Sequence, residues 1–279
     1  MSIDGEKSWR SNTVIALSAF IVTAVGVSLI CLFWIRDILT PSVTFLGSGS
    51  DLSVLITDGP SRLLLATGDN PIAFENAFMS TQPLFARRVD LLLVSGDAAS
   101  LRVPETARKA TFPRQLASLG ALPPSPELSA LQPLDAISGH QHVRLSDETS
   151  VWIETQTPIG AGPLETEEAW RLIIEHQGTR ISIYSDGDAV PLFPAEYPGS
   201  IVTVTGSDPL AFMADGEGLV FVANATQIDG PTLREALSVP DGDSSWLIRV
   251  HPGDAVRMLF TDDGVDVPAW AAIEVLRES

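Results

Sequence analysis

Cysteine is almost absent from this chain: the single residue, Cys31, lies in an apolar run near the N-terminus. No intrachain disulfide can form, and the rest of the chain cannot build a cysteine-based zinc site. Basic charge is also scarce, with 17 Lys+Arg against 35 Asp+Glu and a formal net charge of −18. A chain of that sign repels phosphate backbones, and the sequence shows no basic cluster that would offset this locally. Arg87-Arg88 and the scattered Arg102, Arg108, Lys109 and Arg114 read as a solvated helix face. Direct contact with nucleic acid is not expected, nor is flat contact of so acidic a surface with anionic lipid headgroups.

Charge is wholly missing from residues 11 to 35, which are almost entirely apolar from Val14 onward. A helix of that length reaches roughly 30 Å or more, enough to cross a bilayer core. Signal-peptide cores are shorter and end in a small-x-small site, whereas this run ends in bulky Cys31, Leu32, Phe33, Trp34 and Ile35. An uncleaved anchor over residues 13–35 is the expectation, capped by Ser11 or Asn12 and bracketed by Trp9 and Trp34 as interfacial aromatics. Lys7, Arg10 and the amino terminus precede it, and only Arg36 follows before Arg62. The positive-inside tendency then puts the tail, residues 1–12, in the cytoplasm and the body outside. The expected location is the cell membrane, single-pass, with lipid as the partner of the helix.

After a linker at 36–42, residues 43–279 form the body, large enough to bury a core without staples. Its apolar runs have strand length and are separated by Gly, Asp and Pro. Ser42–Leu46, Leu52–Thr57 and Arg62–Thr67 come first, with Asp58-Gly59-Pro60-Ser61 as turn chemistry between the last two. Pro71–Phe85 reads as a helix, and Val89–Val94 as a strand covered on both faces. Glu105–Leu119 reads as helix or as helix followed by strand, and Leu122–Leu134 as a surface loop. Further strands are expected at His142–Leu145, Ser150–Thr155, Trp170–His176, Arg180–Tyr184, Ser200–Val204, Gly218–Ala223 and Ser245–Val250, with a helix at Pro231–Leu237. Val256–Phe260 and Gly264–Val267 make a closing hairpin. Paired strands with intervening helices come twice, which indicates packed sheets with helices outside.

Read in order, these pieces resemble a metallo-β-lactamase-type domain, and in particular the C-terminal soluble domain of the ComEC/Rec2 competence proteins, over roughly residues 42–268. Val43–Asp51 is similar to the family's opening "fLdvGqGda". Leu65-Ala66-Thr67-Gly68 is similar to "LiDtG", with Ala66 at the family's Asp. Val89–Ser95 matches the strand before the metal motif H-x-H-x-D-H, but Gly96, Ala98, Ser100 and Leu101 stand at its ligand positions. Gly187-Asp188-Ala189 resembles "LltGDa", which retains the bridging Asp as Asp188. Val204-Thr205-Gly206-Ser207 resembles "HHGS" without its histidines, and Leu259–Val265 resembles "yrTdddGav". The resemblance implies an α/β fold, an αββα sandwich preceded by one transmembrane helix.

The family's chemistry needs metal to lower the pKa of bound water, and zinc needs about three protein ligands supported by second-shell contacts. Asp188 alone cannot hold a metal, and Asp97 sits one residue off a ligand position. The remnant of the family site is thus Asp188, Gly187, Gly206, Ser207 and Asp97, with no metal or other cofactor expected.

Other candidates are weaker. His140 and His142 could chelate from one strand face, but read as exposed loop residues, and His176 and His251 as turn residues. Gly47-Ser48-Gly49 reads as a turn, as do Asp186-Gly187-Asp188 and Asp241-Gly242-Asp243, which lack an EF-hand continuation. Ser95 lacks a nucleophile-elbow setting, and the sequon at Asn224 is uninformative. The sequence reads as a membrane-anchored pseudoenzyme that binds or scaffolds, with an envelope protein as partner. The alternative is an anchored hydrolase of the same superfamily with a rearranged site, linked to ComEC/Rec2-type DNA uptake.

Overall fold

The continuous apolar runs become strands whose two faces are both covered. The structure, a computed structural model, describes residues 19–28, 39–49, 51–82, 87–95, 101–120, 122, 131, 134–156, 169–185, 201–204, 220–224, 245–261, 264–266 and 273–276. The chain divides into Met1–Thr40 and the body, Pro41–Ser279. In the first unit residues 19–28 are helical. Among the described residues no helix is long and apolar enough to cross a membrane, and the remainder of the expected span lies outside them.

The body opens with an antiparallel meander, β1 (Ser42–Gly47), β2 (Leu52–Asp58) and β3 (Ser61–Ala66). Two parallel crossovers follow: α1 (Pro71–Thr81) to β4 (Leu91–Val94), then α2 (Arg102–Thr111) to β5 (Gln115–Leu119), with β6 (Asp135–Ile137) parallel beyond it. The second half repeats this plan. A meander of β7 (His140–Arg144), β8 (Thr149–Gln156), β9 (Ala169–His176) and β10 (Thr179–Tyr184) leads into parallel β11 (Ile201–Val204), β12 (Val220–Asn224) and β13 (Ser245–Val250). β14 (Ala255–Thr261) and β15 (Gly264–Asp266) return to the first sheet, and β16 (Ile273–Leu276) closes the second. Among the described residues the orders are β15-β14-β1-β2-β3-β4-β5-β6 and β16-β13-β12-β11-β10-β9-β8-β7, two sheets of eight strands.

Alternate residues divide the burial. Phe45, Val54, Ile56, Leu63 and Leu93 of the first sheet meet Val151, Ile153, Leu172, Ile174, Ile181 and Ile183 of the second in the inter-sheet core. The opposite face of the first sheet, Leu46, Leu55, Leu64 and Leu92, packs on Phe74, Ala77 and Phe78 of α1 and on Val103 and Ala107 of α2. Each fully buried large side chain contributes about 1.5–3 kcal/mol. The outward face of the second sheet is also shielded, with Ile173 at 4% and Ser182 at 2% exposure. The arrangement is the mixed sheet-and-helix one of an αββα-type sandwich, and the described residues supply the helical layer over its first sheet.

Local chemistry sets the ends of the helices. Asn70 caps α1, accepting from the Ala73 amide at 3.1 Å, with Pro71 at the first position. The helix stops at Thr81, short of the expected Phe85, because Gln82 precedes Pro83 and is extended. The segment expected as helix or helix-plus-strand resolves into α2 and β5. The short strands β6 and β16, three and four residues long, are too short to show a periodicity in the sequence. The expected helix at Pro231–Leu237 lies outside the described residues.

Candidate functional site

Asp97, Gly187, Asp188, Gly206 and Ser207 all lie outside the described residues. The strands that lead to them do not. β10 and β11 are parallel with Tyr184 opposite Val204, so the segments that follow them leave from one end of the second sheet. The Ser185 amide donates to the Trp170 carbonyl at 3.0 Å, and the Trp170 indole N–H donates to Ser95 Oγ at the end of β4. The strand ends preceding all five expected residues therefore meet at one end of the sandwich. Trp170 and Ser95 are buried there, with 3% and 5% exposure. A Ser95 hydroxyl already accepting from an indole is a structural group, not a poised nucleophile.

One family ligand position, Leu101, and one further motif position, Ala66 at the family's aspartate, can be read directly. Ala66 and Leu101 are fully buried in the apolar cluster that holds Phe74, Val94 and Leu131. Hydrocarbon at both positions leaves nothing to bind a cation, and a carboxylate or imidazole there would lack a partner. Among the described residues, no three His, Cys, Asp or Glu side chains gather as a metal site. The Asp-Gly-Asp turns read against calcium lie outside the described residues, as does the sequon after Asn224.

The turn after β1 is more than punctuation. Ser53 Oγ donates to the Thr67 carbonyl at 2.8 Å and accepts from the Thr67 amide at 3.1 Å, while the Asn70 amide donates to the Ser48 carbonyl at 3.0 Å. Gly68 has φ +104°, and a Cβ there would lie 2.3 Å from the Ser48 carbonyl oxygen. Glycine is required because the β3 exit crosses the β1–β2 turn at backbone contact.

The histidines fall otherwise than expected. His140 and His142 lie on the outward face of edge strand β7, not in a loop: His140 Nδ1 is 3.4 Å from Glu154 Oε1 and His142 stacks on Trp152 at 4.1 Å. His176 is buried, not a solvated turn residue. Its Nδ1 is 2.6 Å from Thr149 Oγ1, and its ring packs on Phe260 at 4.9 Å. His251 is an exposed turn residue, as expected. Two other side chains escaped the sequence reading. Arg171, at 2% exposure, pairs with Glu154 (Nε to Oε2 2.9 Å) and lies 5.9 Å from the Tyr184 ring centroid. The signal was Trp170-Arg171 inside an otherwise apolar run.

The basic residues are also placed differently. Arg87, Arg88, Arg108, Lys109 and Arg114, read as a solvated helix face, line two grooves around Phe112. Nearby, burial lowers the proton affinity of Arg62, Asp90 opposing and Arg257 reinforcing the effect.

No protein-family profile matches the chain. No characterised protein is significantly similar to it in sequence. Among solved structures, the SMB-1 metallo-β-lactamase bound to 2-mercaptoethanesulfonate matches at 13% identity and TM-score 0.41, over 60% of this chain and 78% of that one. MEM-A1, a subclass B3 metallo-β-lactamase from a soil metagenome library, matches at 13% and 0.41, over 60% and 77%. CmlA, a diiron β-hydroxylase from Streptomyces venezuelae, matches at 12% and 0.37, over 59% of this chain but only 34% of its own. At these identities and scores the likeness concerns the path of the chain and assigns no activity.

Proposed function

We propose that this protein is a membrane-anchored, non-catalytic metallo-β-lactamase-like domain that acts by binding or scaffolding at the cell envelope. The observation that carries the reading is the burial of Ala66 and Leu101 in an apolar cluster. Where the family resemblance calls for an aspartate and a histidine, the chain has extended its core. Anchoring is supported by the uncharged run at 11–35 and by the helix at 19–28, whose Phe20 and Val22 are 70% and 71% exposed. Such a surface suits lipid. The narrower likeness to ComEC/Rec2 rests on the strand-end motifs alone, and the acidic charge opposes direct DNA contact. A hydrolase with a rearranged site gains no support from Ser95.

Elemental analysis of the purified full chain tests the reading. Well under one zinc, iron or manganese per chain is expected after dialysis. A stoichiometric metal that survives dialysis would overturn it, because it would require a ligand set that the resemblance says is lost.

A further inference from the structure

Phe112 is the most exposed large apolar side chain among the described residues, at 77%. It also has φ +48°, in the left-handed region that a helix C-terminus ordinarily gives to glycine. The interior gains nothing from an aromatic held there, and strain of this kind tends to mark function.

The surroundings are basic. One groove beside Phe112 is lined by Arg87, Arg88 and Arg114, the other by Arg108, Lys109 and Arg114. The two stretches meet because the Arg114 amide donates to the Val89 carbonyl at 3.1 Å and the Gln115 amide to the Asp90 carbonyl at 3.0 Å. Five of the chain's 17 basic residues gather here. Among the described residues, Asp90 lies 3.2 Å from Arg114, Glu105 lies 2.6 Å from Lys109, and Asp135 lines the second groove, so the patch holds five cations and three carboxylates. Exposed pairs of this type are weak and readily exchanged for other anions.

Topology places the patch where the chain enters the body. β1 and β3 run in the same direction, parallel to β4 and β5. Ser42 lies opposite Thr57 and Thr57 opposite Arg62, and in the adjoining row Leu63, Leu91 and Gln115 are aligned. The start of β1 and the patch thus share one end of the first sheet, four strand spacings or about 19 Å apart. Residues 36–42 can span at most about 24 Å.

We propose that this patch docks on the anionic phospholipid headgroups of the membrane that holds the chain, with Phe112 entering the interface and the five cations meeting phosphates. The proposal rests on the reading that residues 13–35 span that membrane. A body with so large a negative charge is repelled by an anionic bilayer everywhere except at such a patch, so docking also fixes its orientation. The end where β4, β10 and β11 finish then points away from the lipid.

The test uses the full chain in lipid nanodiscs, with Cys31→Ser and an environment-sensitive dye on Ala110→Cys, which lines the groove without removing a charge. A dye on Ile72→Cys, at the opposite end of the sheet, is the control. With phosphatidylglycerol present, lipids carrying a quencher at headgroup depth should quench the dye at 110 strongly and the dye at 72 little. Pure phosphatidylcholine, Phe112→Ala, or the pair Arg88→Glu with Arg114→Glu should each lower the docked-to-free ratio, by about thirtyfold or more for the charge reversals. Equally weak quenching at both positions in a chain that enters the nanodisc would overturn docking and leave the anchor intact. A chain that fails to enter the nanodisc would overturn the anchor and docking with it. A labelled oligothymidylate bound through Phe112 and Arg114, without lipid quenching at 110, would reassign the patch to single-stranded nucleic acid.

Discussion

The indole of Trp170, on the second sheet, donates to Ser95 Oγ at the end of β4 on the first. This bond joins the two sheets at the end of the sandwich where the family resemblance would place metal chemistry. Trp170→Phe keeps most of the packing and leaves a buried hydroxyl without its donor, so a loss of about 1–2 kcal/mol is expected. Trp170→Ala should lose about 3–5 kcal/mol. Urea denaturation measures both, and Ser95→Ala combined with Trp170→Phe should cost little more than either alone.

Restoring the family's side chains should weaken the protein. Ala66→Asp places a carboxylate at a fully buried position among Phe74, Val94 and Leu101. A destabilisation of about 3 kcal/mol or more is expected, and added zinc should not reverse it. Zinc-dependent recovery of the melting temperature would show that a ligand set persists.

Glu154 holds Arg171, which is only 2% exposed. Glu154→Gln should leave the buried guanidinium without this carboxylate and cost about 3–5 kcal/mol, whereas Arg171→Met with Glu154→Leu should be near neutral. Thermal melts of the three forms give the comparison. Equal losses in the single and double variants would mean that Arg171 is held chiefly by its other contacts, the Tyr184 ring among them.

Gly68→Ala should be as damaging as a core truncation. The added Cβ meets the Ser48 carbonyl and the backbone is held at φ +104°. A loss of roughly 2–4 kcal/mol in chemical denaturation is expected.

The orientation of the anchor is tested by reporters fused after Ser279. A reporter active only outside the cytoplasm should be active and remain in the membrane fraction, since Lys7, Arg10 and the amino terminus outweigh Arg36. A soluble, released product would mean signal cleavage. A silent reporter, with a cytoplasmic one active in its place, would mean the reverse topology.

The sequence by itself determined what local periodicity and turn chemistry encode. Strands such as Leu52–Asp58 and Ser61–Ala66 are largely apolar runs between Gly, Pro and Asp, and the cap at Asn70-Pro71 fixes the start of its helix from four residues of local information. The absence of the family's aspartate at Ala66 and of a ligand histidine at Leu101 was also legible, because it needs only residue identities at motif positions. Tertiary structure decided whatever depends on residues distant in the chain. Arg87-Arg88 and Arg108–Arg114 form one patch only because β4 and β5 pair in parallel. Trp170 meets Ser95, and Thr149 meets His176, only because the sheets and strands pack in this register. A side chain's burial and partners are set by the registry of neighbouring strands, and hydrophobic periodicity fixes which face a residue occupies but not what lies across from it.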